Sequence, residues 1–96
     1  MVQYLVTYSV QTGKEQQHDE WWRSVGRGFW QQRSGFRDLK MFTTMVGSGP
    51  DYVVEIDFDS GRNLLATVEN QEAMATLEDF EHLVEDLNTK ILIPTS

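Results

Sequence analysis

The sequence predicts an α+β domain in which four strands form an antiparallel sheet and two helices cover one of its faces, in the order β-α-β-β-α-β. Three observations carry that prediction. The opening "MVQYLVTYSV" alternates between apolar and polar sides, the spacing becomes helical after "QTGK", and two further strand-like stretches flank "GSGP". The length agrees, since 96 residues suit one domain, here taken as 1–96. A chain of this size buries only about 60–70% of its unfolded surface, so association that covers another face would help it.

In the first strand Val2, Tyr4, Val6, Tyr8 and Val10 fall on one side and Gln3, Leu5, Thr7 and Ser9 on the other, the pattern of a half-buried strand. From Lys14 onward His18, Trp22, Val25 and Phe29 recur on one helical face. That places Trp22 in the core. Trp21 and Trp30 lie about 80–100° to either side of the stripe and need another explanation. Gly26 and Gly28 each weaken this helix by about 1 kcal/mol relative to Ala; they either admit the sheet or a ligand or are simply tolerated.

Gly35, in "RSGF", closes the helix as a C-terminal glycine. "FRDLKMFTTMV" then reads as the second strand and "DYVVEIDF" as the third, with Tyr52, Val54, Ile56 and Phe58 on one face and Val53, Glu55 and Asp57 on the other. "DSGRNLLATVE" starts a short helix capped by Asp59 or Ser60. Asn70 caps a continuation in which Ala73, Leu77, Phe80, Val84 and Leu87 form an apolar stripe, and "KILIP" is a short last strand stopped by Pro94. This order is the split-βαβ, ferredoxin-like arrangement.

Composition narrows the function. A net charge of −7 argues against nucleic acid and anionic membrane surfaces as partners. The acidity concentrates in "VENQEAMATLEDFEHLVED", which reads as a solvated helix face. Without cysteine there is no disulfide, zinc-thiolate or thiol chemistry. The N-terminus does not read as a signal peptide, and no apolar run nears the ~20 residues that span a bilayer. The expected location is cytoplasmic.

The fold serves many functions, so sites must decide. An RNA-recognition domain would display aromatic and basic residues on the free face of the third strand, where this chain has Val53, Glu55 and Asp57. A copper metallochaperone needs Cys-x-x-Cys. An acylphosphatase needs an arginine-bearing phosphate cradle, and "QTGKEQQHDE" offers only Lys14. Asp57 and Asp59 could open a calcium loop, but its glycine and glutamate positions hold Arg62 and Val68. No metal site is expected. Glu55 and Asp57 share a strand face and could serve as acid and base; a hydrated pair, or one matched across subunits by Lys40 or Arg37, is the simpler fate. The uncovered sheet face is mixed in character and suits packing on a second copy.

"YLVTYSVQTGKEQQHDEWW", "YVVEIDFDS" and "LEDFEHLVEDLNTKILIP" together resemble the dimeric α+β-barrel superfamily, which includes small antibiotic-biosynthesis-type monooxygenases, NIPSNAP-like proteins and haem-degrading relatives. The resemblance spans nearly the whole chain and is one of pattern. It implies a homodimer whose open sheet faces close a barrel, with a ligand pocket between each sheet and its helices. Haem degraders of this group use an Asn on the first strand and a later Trp and His. Here Thr7 stands on that strand, no Trp follows Trp30, and His82 projects away from the apolar stripe.

What the resemblance implies is a cofactor-independent monooxygenase that needs no metal or flavin and acts on an aromatic or quinone-type substrate. Tyr8, His18, Trp22 and Tyr52 are the expected substrate-binding residues, with His18 able to act as a pocket acid or base. No catalytic residue is assigned. The alternatives are a non-catalytic ligand sensor, similar to amino-acid-binding regulatory domains, and a structural or interaction protein whose pocket its own side chains fill.

Overall fold

Alternation along nine residues near the start of the chain builds a central strand, β1 (Val2–Val10), and the computed structural model, which describes residues 1–95, arranges the rest around it. After β1 come α1 (Glu15–Trp21), a π-helical turn (Trp22–Gly26), α2 (Arg27–Gln31), β2 (Phe36–Thr43), β3 (Tyr52–Phe58), α3 (Gly61–Val68), α4 (Gln71–Glu81) and β4 (Val84–Leu92). The sheet order is β2-β3-β1-β4, antiparallel throughout. This is the ferredoxin-like architecture expected from the sequence. No helix among the described residues is long and apolar enough to cross a membrane.

The helices cover the face that carries Val6, Tyr8, Val54, Ile56 and Phe58, all buried. Leu64 and Phe80 descend onto it from α3 and α4. Of the two candidate caps for α3, Ser60 is used: its hydroxyl accepts the Asn63 backbone N–H, while the Asp59 carboxylate accepts from the Asn63 side chain at 3.0 Å. Asn70 caps α4 by accepting the Ala73 N–H.

Two expectations are corrected. Beyond Trp22 the helical stripe does not continue through Val25, which is 40% exposed. Burial instead recurs at His18, Trp22, Gly26 and Trp30, each four residues after the last, with Trp21 buried beside Trp22. In a regular α-helix that spacing would drift by about 40° per step. The π turn absorbs the drift, with the Arg27 N–H donating to the Trp22 carbonyl five residues back. Trp21 and Trp30 therefore need no explanation outside the core: they are 8% and 2% exposed.

The second correction concerns the last strand. Val84 and Leu87 do not extend the α4 stripe, and the strand is not confined to "KILIP"; it runs over nine residues. Ser9 and Thr7 of β1 face Glu85 and Asn88, so β4 carries one extra residue between them, and Asp86 there takes a left-handed conformation (φ 55°). That bulge puts residues three apart on one face. Helical spacing was imitated by a bulged strand.

The opposite sheet face carries Lys40 and Phe42 from β2, Val53, Glu55 and Asp57 from β3, Gln3, Leu5 and Thr7 from β1, and Asn88, Lys90 and Leu92 from β4, as the strand register shows. Neither Lys40 nor Arg37 is hydrogen-bonded to the acidic pair. The Gln3 amide donates to Glu55 at 3.3 Å and to Asp57 at 3.1 Å.

Candidate functional site

Between the helices and the sheet lies an apolar cavity of about 60 Å³. Its walls are mainly rings: Tyr4 from β1, Trp21, Trp22 and Trp30 from the first helical stretch, and Phe80 from α4, with Leu77, Leu87 and Thr89 beside them. Two one-residue irregularities shape it. The π turn brings Trp30 to the side already occupied by Trp21 and Trp22, and the β4 bulge turns Leu87 and Thr89 toward the same space. Gly26 makes the indole packing feasible, because a Cβ there would lie 2.5 Å from Trp21 Cζ3 and 2.6 Å from Trp22 Cε3.

The rings hold one another in place. Trp21 stands edge-on to Trp22 with centroids 5.0 Å apart and tilts against Phe80 at 4.9 Å. Trp30 tilts against Tyr4 at 5.7 Å. Such pairs add about 0.5–1.5 kcal/mol beyond area burial. Among the described residues the one carboxylate at the cavity is that of Glu81, an exposed residue at the end of α4.

The four residues expected to bind substrate do converge, but on a packed cluster next to this cavity. Only Trp22 is in the cavity wall. Tyr8 and His18 are fully buried behind it, and half-buried Tyr52 stacks on Tyr8 with centroids 5.4 Å apart and an interplanar angle of 12°. Trp22 Nε1–H donates to the Tyr8 hydroxyl at 3.0 Å, that hydroxyl lies 2.7 Å from His18 Nε2, and His18 Nδ1 lies 2.9 Å from Asp19 Oδ1. Indole only donates and a carboxylate only accepts, so one arrangement satisfies every group. Tyr8 donates to Nε2, and Nδ1–H donates to Asp19.

Burial pushes the Tyr8 phenol well above its ordinary range, against the opposing pull of the Trp22 N–H. Tyr52 is raised as well, by burial first and then by the negative charge of Asp19. The phenol of Tyr8 is thus held firmly protonated. His82 lies exposed just beyond α4, away from both cavity and cluster.

Sequence reasoning missed Tyr4, Trp30, Leu77, Phe80, Leu87 and Thr89 as wall residues. Tyr4 was recoverable, since it shares the strand face of Tyr8. Trp30 and Leu87 were not, because the π turn and the bulge reset their phase. Among the described residues no three His, Asp or Glu side chains converge as a metal site would require.

Neither a family model nor a curated protein matches the sequence. Solved structures do match the fold. An uncharacterized NIPSNAP domain protein from Burkholderia xenovorans is similar over 100% of this chain and 96% of its own, at 20% identity and a TM-score of 0.72. The chain shares this fold. SnoaB, a cofactor-independent oxygenase from Streptomyces nogalater, aligns over 99% of this chain and 93% of its own, with 8% identity and a TM-score of 0.80. A dimeric protein of unknown function and ferredoxin-like fold from Bacteroides fragilis aligns over 94% and 92%, with 12% identity and a TM-score of 0.71. The superfamily resemblance in the sequence therefore holds at the level of fold.

Proposed function

We propose that the protein is a homodimeric, small-ligand-binding α+β-barrel protein that acts as a cofactor-independent monooxygenase on an aromatic or quinone-type substrate. The observation that carries this reading is the ring-walled cavity, with Trp21, Trp22, Trp30, Tyr4 and Phe80 turned onto one apolar space. Such walls bind a flat ring and exclude water. An electron-rich phenol can itself reduce oxygen: in its keto tautomer a ring CH₂ and O₂ give a carbonyl and water, and the protein supplies desolvation and orientation. The SnoaB fold, described as that of a cofactor-independent oxygenase, supports the same reading.

At about 60 Å³ the cavity is smaller than the roughly 150 Å³ apolar cavity that admits benzene. Ligand entry therefore requires the cavity wall to move outward. The homodimer is supported by the open sheet face, where Lys40 and Lys90 lie around Glu55 and Asp57. A two-fold contact needs a self-complementary patch, and both signs of charge are present there.

A second reading, a ligand-binding or interaction protein without catalysis, is favoured by a wall that carries, among the described residues, no carboxylate other than that of exposed Glu81. A thermal-shift screen with planar phenols and quinones, coupled to oxygen uptake, separates the two. A ligand at a hundredfold excess over Kd stabilises the fold by about 2.7 kcal/mol. Leu77→Phe, which fills the cavity, should abolish the shift while the protein still melts cooperatively. A shift with oxygen consumption supports the oxygenase, and a shift without it supports the binder. A shift that survives Leu77→Phe moves the ligand elsewhere and refutes the site.

A further inference from the structure

We propose that Trp22, Tyr8, His18 and Asp19 form a redox relay that draws an oxidising equivalent out of the cavity, with Tyr8 as the residue oxidised and His18 as the base that takes its proton. The relay rests on the oxygenase reading only for the source of its oxidant, a peroxyl radical formed when a substrate radical adds O₂.

The geometry is continuous from cavity to solvent. Trp22 forms part of the cavity wall, and its indole N–H reaches the Tyr8 oxygen at 3.0 Å. Tyr8 donates across 2.7 Å to His18, and His18 donates across 2.9 Å to Asp19. The two middle members are buried, whereas the Asp19 side chain is 63% exposed. Asp19 also lies on the helical layer, opposite the sheet face offered to a second copy, so dimerisation there leaves it in water.

Charge explains why the proton must travel with the electron. Electron loss alone would leave a cation radical at Tyr8 in the apolar core, which is costly. Burial equally disfavours the phenolate, since it drives the Tyr8 phenol upward. Proton transfer to His18 along with electron loss avoids both, because phenol and phenoxyl radical are each neutral. The positive charge then appears on the imidazole, against the Asp19 carboxylate.

The steps balance. Trp22 gives one electron to the substrate peroxyl radical, which takes a proton from water and becomes the closed-shell hydroperoxide. Tyr8 then gives one electron to Trp22 and its phenolic proton to His18 Nε2, so that Trp22 regains its electron and keeps its N–H. An external one-electron reductant such as ascorbate returns Tyr8 to the phenol, and the proton comes back from His18. Tyr52 stacks on Tyr8 but has no comparable base on its oxygen, so the radical settles on Tyr8.

The test supplies its own oxidant and so does not depend on oxygenase activity. Flash-generated tris(bipyridine)ruthenium(III), with persulfate as electron acceptor, is applied to the whole protein, and radicals are followed by transient absorption and electron paramagnetic resonance. A tyrosyl radical is expected in the wild type; in Tyr8→Phe it should be replaced by a tryptophanyl radical. Asp19→Asn changes an exposed side chain and keeps an acceptor for His18, but removes the balancing charge. It should slow tyrosyl formation about tenfold, and His18→Gln should slow it further. A tyrosyl signal that persists in Tyr8→Phe, or forms at the wild-type rate in both Asp19→Asn and His18→Gln, overturns the relay. If the expected radicals form and no phenol is ever oxidised, the relay stands and the oxygenase reading falls.

Discussion

Gly26 and Gly28 lie two residues apart in one helical stretch, yet replacement by alanine should move stability in opposite directions. At Gly26 an added Cβ would sit 2.5 Å from Trp21 Cζ3 and 2.6 Å from Trp22 Cε3. Relaxing to ordinary carbon contacts of about 3.5 Å requires both indoles to retreat by roughly 1 Å. Neither is free to do so, since Trp21 is wedged against Phe80 at 4.9 Å and Trp22 is tied to Tyr8 at 3.0 Å. Overpacking of this kind costs about 1–3 kcal/mol, and with two rings obstructed the upper end applies. The helical backbone returns about 1 kcal/mol on replacing Gly by Ala. Gly26→Ala should therefore lose about 2 kcal/mol net, equivalent to a fall in Tm of about 8–16 °C at this chain length.

At Gly28 nothing lies within 4 Å of the added Cβ, so Gly28→Ala should gain about 1 kcal/mol. Urea unfolding followed by tryptophan fluorescence, at equal protein concentration, measures both. The midpoints should separate with unchanged slopes. A Gly26→Ala protein as stable as the wild type would show that the two indoles yield easily, and would refute the packing argument for the cavity wall.

Alkaline pH should weaken the fold through Tyr8. Its phenol is raised from an ordinary 10.0 in the folded protein, so its contribution is complete below that pH and declines above it, as the unfolded chain releases the proton first. The slope is about 1.4 kcal/mol per pH unit for one group. Tyr8→Phe should remove that share and leave a smaller one from Tyr52, read from denaturation midpoints across the alkaline range; an unchanged slope would exclude Tyr8 as the source. Ser60→Ala should cost about 1 kcal/mol by removing the α3 cap, and Ser60→Gly only a few tenths, by the same urea assay. Val53→Lys, in the middle of the open sheet face, should shift a sedimenting dimer to monomer without lowering helical circular dichroism. A Val53→Lys dimer of wild-type affinity would place the subunit contact elsewhere.

Alternation and turn residues were sufficient to identify β1, β2, β3 and the end of β4, and the face of β1 and β3 that the helices cover, because both signals are local. Period-two patterning needs only a chain that is half buried, and Ser60 and Asn70 cap helices by bonds to residues three positions on. The convergence of Tyr8, His18, Trp22 and Tyr52 was legible too. Tyr8 and Tyr52 are direct partners in the β1–β3 register, and His18 and Trp22 are one helical turn apart on the layer above.

The sequence by itself determined the order of elements, the antiparallel pairing and the aromatic character of the core. The tertiary structure decided which rings face the cavity and which form the hydrogen-bonded cluster behind it. That choice depends on two inserted residues, one in the π turn after Trp21 and one in β4 at Asp86. Each shifts the phase of every side chain that follows. Neither insertion is favoured by its own segment: the π turn is stabilised by Trp21 and Trp22 packing over Gly26, and the bulge by pairing with β1 on both sides of Tyr8. Those contacts join residues distant in the chain, and exist only once sheet and helices have closed on one another.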